Sequence, residues 1–278
     1  MNQNVLKCPV CHTGFEKENK QYKCQNGHSF DMAKEGYTNL LLANKKNSKI
    51  PGDSKEMMVA RQRFLNGAYY EPLSNKLNEL MKAYVYQPDT PLHVFDAGSG
   101  EGYYVDRMQQ SMAQNQNVNF TGIDISKEGV RLSAKRNKQI TFAVGSVYDI
   151  PIINEGVDLV FSVFAPIAES EFSRILNQHG KLIIVSPGAH HLFGLKQALY
   201  DEPYLNEEDK FVLEQFDLLE QCRVDYDMTL RNSQDLHDLM TMTPYYWKTS
   251  AKKMEALLEN NETLQTRIEF IVNVYQKK

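Results

Sequence analysis

Nine residues, Val94-Phe95-Asp96-Ala97-Gly98-Ser99-Gly100-Glu101-Gly102, constrain this chain more than any others. A short apolar run ends in an aspartate, and glycines then occupy every second position. Glycine lets a backbone turn sharply and approach a ligand closely. The residues after Gly102 read as a helix, and the first N–H groups of a helix have no partner within it. A strand, a glycine turn and a helix in this order open an α/β unit that holds its ligand at the strand's carboxyl end. Gly-rich turns of this kind also serve dinucleotides, so the neighbours of the loop have to decide the ligand.

Alternation continues downstream. After Leu92–Asp96 comes a helix to about Gln114, a run at Val118–Ile123, a helix near Lys127–Arg136, and strands at Ile140–Val144, Val157–Phe161 and Lys181–Val185. Short apolar strands alternating with helices predict a mostly parallel sheet covered on both faces. The tail differs: a strand at Arg223–Leu230, helices at about Ser233–Met240 and Ala251–Leu258, then Thr263–Tyr275. Ile268, Phe270, Val272 and Val274 alternate in that last segment, as in an edge strand.

Two acids point to S-adenosylmethionine. Asp96 stands before the first glycine, where dinucleotide enzymes carry an apolar residue, and suits the amino-acid part of the cofactor. Asp124, in Gly122-Ile123-Asp124-Ile125, ends the second strand and suits the two ribose hydroxyls. Gly98, Gly100, Glu101 and Gly102 form the turn, with Ile125 beside the ribose. Ser146 and Val147 follow the third strand, where the adenine would lie; many methyltransferases carry an aspartate at the position of Ser146. The fold class these residues predict is a Rossmann-like, class I methyltransferase α/β domain with a seven-stranded, mostly parallel sheet.

Upstream lies a different chemistry. Cys8-x2-Cys11 and Cys24-x3-His28 supply two close pairs of soft or borderline ligands, the set that tetrahedral Zn2+ takes. All four positions are filled by protein, so the zinc would be structural. Phe15 and Tyr22 lie between the pairs as a miniature core. His12 is a rival to His28, but its adjacency to Cys11 is poorer geometry. The fourth cysteine, Cys222, stands alone and reads as a buried thiol in a reducing compartment. No stretch approaches the roughly 18 apolar residues of a membrane span, and the first ten lack a signal peptide's apolar run. The expected location is the cytoplasm, with no membrane partner.

Charge is distributed unevenly. Residues 1–66 carry 11 basic and 6 acidic side chains, against 20 and 29 in the remainder, although the net charge is only −4. A basic first third on an acidic body suits a polyanionic partner. Three regions follow: a zinc-binding module (1–36), a basic connector with helices (37–87), and an S-adenosylmethionine-dependent methyltransferase domain (88–278). In the connector, Ser54 is a candidate N-cap for a helix from Lys55 to Phe64 with Met57, Met58, Phe64 and Leu65 inward, and a second helix spans about Leu73–Val85. Lys34, Lys45, Lys46, Lys49, Lys55, Arg61 and Arg63 are the candidate phosphate contacts; Tyr37 and Phe30 read as core residues first and as stacking rings second.

The combination resembles the bacterial 23S rRNA (guanine-N1)-methyltransferases. Carrying it are the Cys8–Cys11–Cys24–His28 set, Phe30-Asp31-Met32-Ala33-Lys34-Glu35-Gly36-Tyr37-Thr38-Asn39-Leu40-Leu41, Pro51-Gly52-Asp53-Ser54 with Met57-Met58, Ala60-Arg61 and Phe64-Leu65, Tyr70-Glu71-Pro72-Leu73, the glycine loop Gly98–Tyr104, Phe164-Ala165-Pro166, Ser186-Pro187-Gly188 with His191-Leu192, and Met242-Thr243-Pro244 with Trp247. The resemblance spans essentially the whole chain. It implies methylation of guanine N1 in a hairpin of 23S rRNA, recognition of that hairpin through the zinc module, and a homodimer. It also implies cofactor contacts from Tyr70, Gly100, Glu101 and His191. Phe164, Ala165 and Pro166, beside the transferable methyl, become candidates for the target-base pocket. No catalytic base can be named; Glu169 and Glu171 read as solvent-facing helix acids. Rival readings are a small-molecule methyltransferase, which needs neither zinc module nor basic connector, and a non-enzymatic zinc-dependent RNA-binding protein with a relict cofactor fold. A third, a nicotinamide oxidoreductase, lacks any sign of hydride chemistry.

Overall fold

The computed structural model describes residues 4–45, 52–85, 91–112, 117–260 and 263–278. The chain opens with three short antiparallel strands, β1 (Phe15–Glu18), β2 (Gln21–Cys24) and β3 (Ser29–Asp31). Phe15 meets Tyr22 and Phe30 at ring separations of 5.7 and 5.6 Å and forms their small core. The module is fastened to the main body by its first residues. Leu6 bridges Ile152, Lys7 N–H donates to the Pro151 carbonyl, and Ile153 N–H donates to the Val5 carbonyl.

A two-residue strand, β4 (Thr38–Asn39), and a 3-10 turn at Ala43–Lys45 lead to helices α1 (Lys55–Asn66) and α2 (Glu71–Val85). Ser54 caps α1 as its sequence position predicts, its hydroxyl accepting from Met57 N–H at 3.2 Å. Met57, Met58, Phe64 and Leu65 are all buried. Then follow β5 (Leu92–Ala97), α3 (Tyr103–Ser111), β6 (Val118–Asp124), α4 (Lys127–Arg136), β7 (Thr141–Val144), β8 (Val157–Val163), α5 (Glu169–Ile175), β9 (Leu176–Pro187) and α6 (Phe193–Leu199). The chain ends with β10 (Phe216–Leu230), α7 (Ser233–Thr241), α8 (Tyr245–Lys248), α9 (Ala251–Asn260) and β11 (Leu264–Lys277).

The main sheet runs β10-β11-β9-β8-β5-β6-β7-β4. It contains the seven strands expected, and β4 extends it by an eighth pairing parallel to β7. Only the two β11 pairings are antiparallel. The sequence reading of Thr263–Tyr275 as an edge strand is corrected: β11 lies inside the sheet and β10 is the edge. Its second half, from Ile268, is buried on both faces, because side chains on both sides of the strand meet core. Cys222, expected to be buried, is half-exposed on the edge strand β10. The helix expected to reach Gln114 ends at Ser111, and Gln114 itself lies outside the described residues.

From β5 the chain adds β6 and β7 on one side, then returns to place β8 on the other. Ligands of open α/β sheets bind where the order reverses, beyond the carboxyl ends of the strands. Here that point holds Asp96, Phe164 and Asp124. Among the described residues no helix is long and apolar enough to cross a membrane.

Candidate active site and metal centre

The loop after β5 is shaped by three left-handed glycines, with φ of +92° at Gly98, +54° at Gly100 and +86° at Gly102. Gly102 then starts α3. Asp124, at the end of β6, holds the loop: one carboxylate oxygen accepts from Gly100 N–H at 2.8 Å and the other from Ser126 N–H at 2.7 Å. Each oxygen keeps a second lone pair, so ribose hydroxyls can still be received.

Asp96 is 3 % exposed, and among the described residues no hydrogen bond offsets the burial of its carboxylate. Burial, then the negative charges of Asp124 and Glu101, hold its pKa well above the usual carboxylate range. Glu101 is buried and paired with Arg136, yet one of its carboxylate oxygens has no partner. The Tyr104 hydroxyl and the Ser99 hydroxyl are also buried without partners. Buried polar groups are almost always hydrogen-bonded, so a cluster of orphans around a glycine loop marks a ligand's place. The set fits S-adenosylmethionine: carboxylates for an ammonium and for hydroxyls, around a backbone that glycine adopts far more readily than other residues. Ser99 and Tyr104 are not among the cofactor contacts expected from the sequence, although both lie within two residues of the last glycines.

This site gives a test of charge. Asp96→Asn is expected to raise the melting temperature of the ligand-free protein at pH 7 while weakening S-adenosylmethionine binding. Because the folded pKa of Asp96 is raised, the native state holds its proton longer than the unfolded state does. Ionisation of the unfolded chain therefore costs stability as pH rises above the unfolded value of about 3.9, until the native carboxyl ionises as well. The advantage of the variant should shrink as pH falls towards 4. Calorimetry at pH 4 and pH 7 checks it, and an equal difference at both would refute it.

The connector lies over the loop. Gly52, at φ +77°, has Ile125 2.8 Å from where its Cβ would stand, and Ser126 Oγ donates to the Asp53 carbonyl at 2.9 Å. Arg61 projects from α1 towards Gly100, whose Cβ would stand 3.5 Å from its Nη1, and pairs with Asp53 at 2.6 Å. Ser146 turns its hydroxyl to Tyr148 N–H at 3.2 Å, and Val147 is half-buried beside it.

Across the loop stands an aromatic wall. Tyr70 is buried, edge-on to Phe64 and Phe270, and its hydroxyl lies 3.5 Å from His191 Nε2. His191 packs on Phe270 at 4.8 Å and faces Phe164 at 6.2 Å; its Nδ1 is buried without a partner. Burial pulls its pKa down to about 3, so the ring is neutral at physiological pH. Phe164 has φ +55°, a conformation that side chains rarely adopt, and is 47 % exposed. Such strain is typical of functional sites. Ala165 backs onto Gly98, whose Cβ would meet its own at 2.5 Å, and Pro166 is exposed. Glu169 and Glu171 are committed elsewhere: Glu169 accepts from Gln215 N–H at 2.6 Å, while Glu171 accepts from Ile150 N–H at 2.6 Å and pairs with Arg174. Glu171 is thus half-buried rather than solvent-facing.

In the N-terminal module, Cys8, Cys11, Cys24 and His28 bring their ligand atoms within 4.8 Å of one another. Cys11 and Cys24 sulfurs are 3.6 Å apart, and His28 Nδ1 lies 3.7 Å from Cys8 and 3.4 Å from Cys24. A tetrahedron of Zn–S bonds of about 2.3 Å has edges of about 3.8 Å, so the four atoms fit a structural zinc. His12 is exposed and outside the cluster. The Thr13 hydroxyl, 3.2 Å from Cys11 Sγ, is the main cause that lowers this thiol's pKa to about 5.

The basic candidates separate. Lys34 and Lys55 are exposed, the backbone of Lys45 ends the 3-10 turn, and Lys46 and Lys49 lie outside the described residues. Arg63 instead donates from Nε and Nη2 to the two oxygens of buried Asp238, at 2.8 and 2.5 Å. Tyr37 is buried and Phe30 packs on Phe15, so both rings serve the core. Arg63→Ala would strand the Asp238 charge. Urea unfolding should show a loss of about 1–3 kcal/mol, with no change in the salt dependence of RNA binding.

Two family models match this chain: a zinc ribbon described as RlmA, N-terminal, over residues 6–49, and a methyltransferase domain over residues 89–260. The glycine loop and the strand-end acids thus sit in a methyltransferase domain that uses S-adenosylmethionine, and the cysteine cluster in a zinc ribbon. A 23S rRNA (guanine(748)-N(1))-methyltransferase of Streptomyces fradiae is 32% identical over 72% of this chain and 70% of its own length. A putative 23S rRNA (guanine-N(1)-)-methyltransferase of Bacillus subtilis is 29% identical over 92% of each chain. The chain belongs to the 23S rRNA (guanine-N1)-methyltransferase family.

Proposed function

We propose that this protein methylates N1 of a guanine in a hairpin of 23S rRNA, in the cytoplasm and as a homodimer. What carries the reading is the union, in one chain, of a zinc ribbon with a methyltransferase site, across 92% of which a guanine-N1 relative aligns. A small-molecule methyltransferase needs no such module.

When bound, S-adenosylmethionine supplies an electrophilic methyl for in-line displacement, so alignment dominates catalysis. Asp124 takes the ribose hydroxyls while keeping Gly100 in place. Asp96 takes the ammonium, which relieves its buried, unpartnered charge. Ile125, Ser146 and Val147 border the adenine; Gly98, Gly100, Glu101 and Gly102 frame the methionine. Tyr70 and His191 close the opposite side as a neutral pair. The exposed face of Phe164 stacks on the flipped guanine, with Ala165 and Pro166 shaping the rim. His191 is too weak a base to hold the N1 proton at neutral pH. Lys34, Lys45, Lys46, Lys49 and Lys55 neutralise RNA phosphates, and each lysine removed should flatten the salt dependence of RNA affinity by about one unit of log–log slope.

The test is transfer of labelled methyl from S-adenosylmethionine to 23S rRNA lacking the modification, with the site read by primer extension and nucleoside mass spectrometry. A single stop with 1-methylguanosine is the expected result. No label on RNA, from protein that binds the cofactor and contains zinc, would overturn the assignment.

A further inference from the structure

We infer that Arg61 receives the α-carboxylate of S-adenosylmethionine, and so belongs to the cofactor site rather than to the RNA-binding surface. The inference rests on the methyltransferase reading but not on the identity of the methyl acceptor.

The methionine end of the cofactor carries one negative group, and the glycine loop is poorly prepared for it. Asp96, Glu101 and Asp124 surround the loop, and Asp96 already feels the charges of the other two. Loop and helix N–H groups favour an anion, yet Gly100 N–H is spent on Asp124. A carboxylate entering this ring of acids needs a cation close by.

Among the described residues, two arginines act on these acids. Arg136 is committed to Glu101, with its guanidinium also 5.8 Å from the centre of the Tyr103 ring. Arg61 is differently placed. Its Nη2 donates to Asp53 at 2.6 Å and to the Met242 carbonyl at 3.4 Å. Among the described residues its Nη1 has only the Met58 thioether, at 3.7 Å, a weak acceptor. That nitrogen faces Gly100 on the side where a Cβ would stand, and the missing side chain leaves the approach open. The positive charge is felt by Asp124 and Glu101, on both sides of the loop. The side chain is 26 % exposed, so its hydrogen bonds are only partly screened.

Asp53 gives the contact a further consequence. The pair ties Arg61 to the turn that also rests on Ile125 and Ser126. A carboxylate held by Arg61 therefore fastens the connector across the methionine end and the ribose end at once. The sequence carried a signal for this placement. Arg61 lies three residues after Met58 and four before Leu65, both buried, and so on the inward face of α1.

The experiment is calorimetric titration of the full-length, zinc-loaded protein with S-adenosylmethionine and with decarboxylated S-adenosylmethionine, which lacks only the α-carboxylate. A charge-assisted hydrogen bond accounts for about a 10- to 100-fold difference in affinity. Wild type is expected to prefer the complete cofactor by that factor, Arg61→Ala to lose the preference, and Arg61→Lys to keep part of it. Arg61→Ala should bind the decarboxylated compound about as well as wild type does, which also shows that the variant is folded. Equal weakening towards both compounds would mean that Arg61 only braces the loop, and would overturn the inference, as would an unchanged preference. Failure of RNA methylation with these affinities intact would count against the rRNA assignment alone.

Discussion

Replacing Cys24 with serine is expected to empty the zinc site and unfold the N-terminal module, abolishing rRNA methylation while leaving cofactor affinity within about threefold of wild type. The module's strands are four, four and three residues long, and its core is little more than Phe15, Tyr22 and Phe30. Apolar burial on that scale does not offset the entropy of ordering the segment, and units so small depend on a staple. Structural zinc contributes about 10–16 kcal/mol in zinc-finger peptides, far more than a single hydrogen bond or ion pair does. Cys24 sits at the centre of the cluster, close to both Cys11 and His28. Metal content and hydrogen exchange check the prediction. Zinc should fall from one per chain to near zero, and amides of residues 15–31 should lose protection while those of β5 and β6 keep it. A serine variant that retains zinc, or one that loses it and methylates RNA at the wild-type rate, would refute the role given to the module.

The contrast between module and body explains what the sequence could disclose. The zinc ligands and the glycine loop are local: two turns make the first, one strand-to-helix junction makes the second, and spacing suffices to read both. Asp124 was legible for the same reason, as the last residue of a strand. Other features depend on partners far away in the chain. Nothing near Thr263–Tyr275 says that β10 will cover its outer edge, so an alternating pattern read as an edge strand although β11 lies inside. Arg63 looks like a phosphate contact until α7 brings Asp238 to it across 175 residues. The approach of Tyr70 to His191 joins the connector to the end of β9 across 121 residues, and only the family resemblance pointed to it. Phe164 could be placed after a strand, but its left-handed backbone sits in a turn tied to a distant strand, where Phe164 N–H donates to the Val185 carbonyl at 3.2 Å.

That turn yields the second large effect. Gly98→Ala should lower methyl transfer at least about 100-fold and destabilise the fold by about 2–4 kcal/mol. Two causes act together, and they can be separated. First, φ of +92° at Gly98 is open to glycine and strained for alanine. Second, the new methyl would stand 2.5 Å from Ala165 Cβ, well inside contact distance. Neither atom is the end of a flexible chain, so backbone must move. Movement at Gly98 shifts the glycine loop against Asp124, and movement at Ala165 turns Phe164, so cofactor and target base lose their alignment together. A shift of about 1 Å is enough to cost two orders of magnitude in rate. Ala165→Gly removes the clash, because the Ala165 Cα is 3.9 Å from the added carbon, an ordinary contact. The double variant should therefore regain the part of stability and cofactor affinity lost to the contact, while the strain at φ +92° remains. Urea unfolding and cofactor titration on the two single variants and the double variant resolve the two shares. Strict additivity, with no recovery in the double variant, would show that the cofactor loop and the target-base turn are not in contact through this pair.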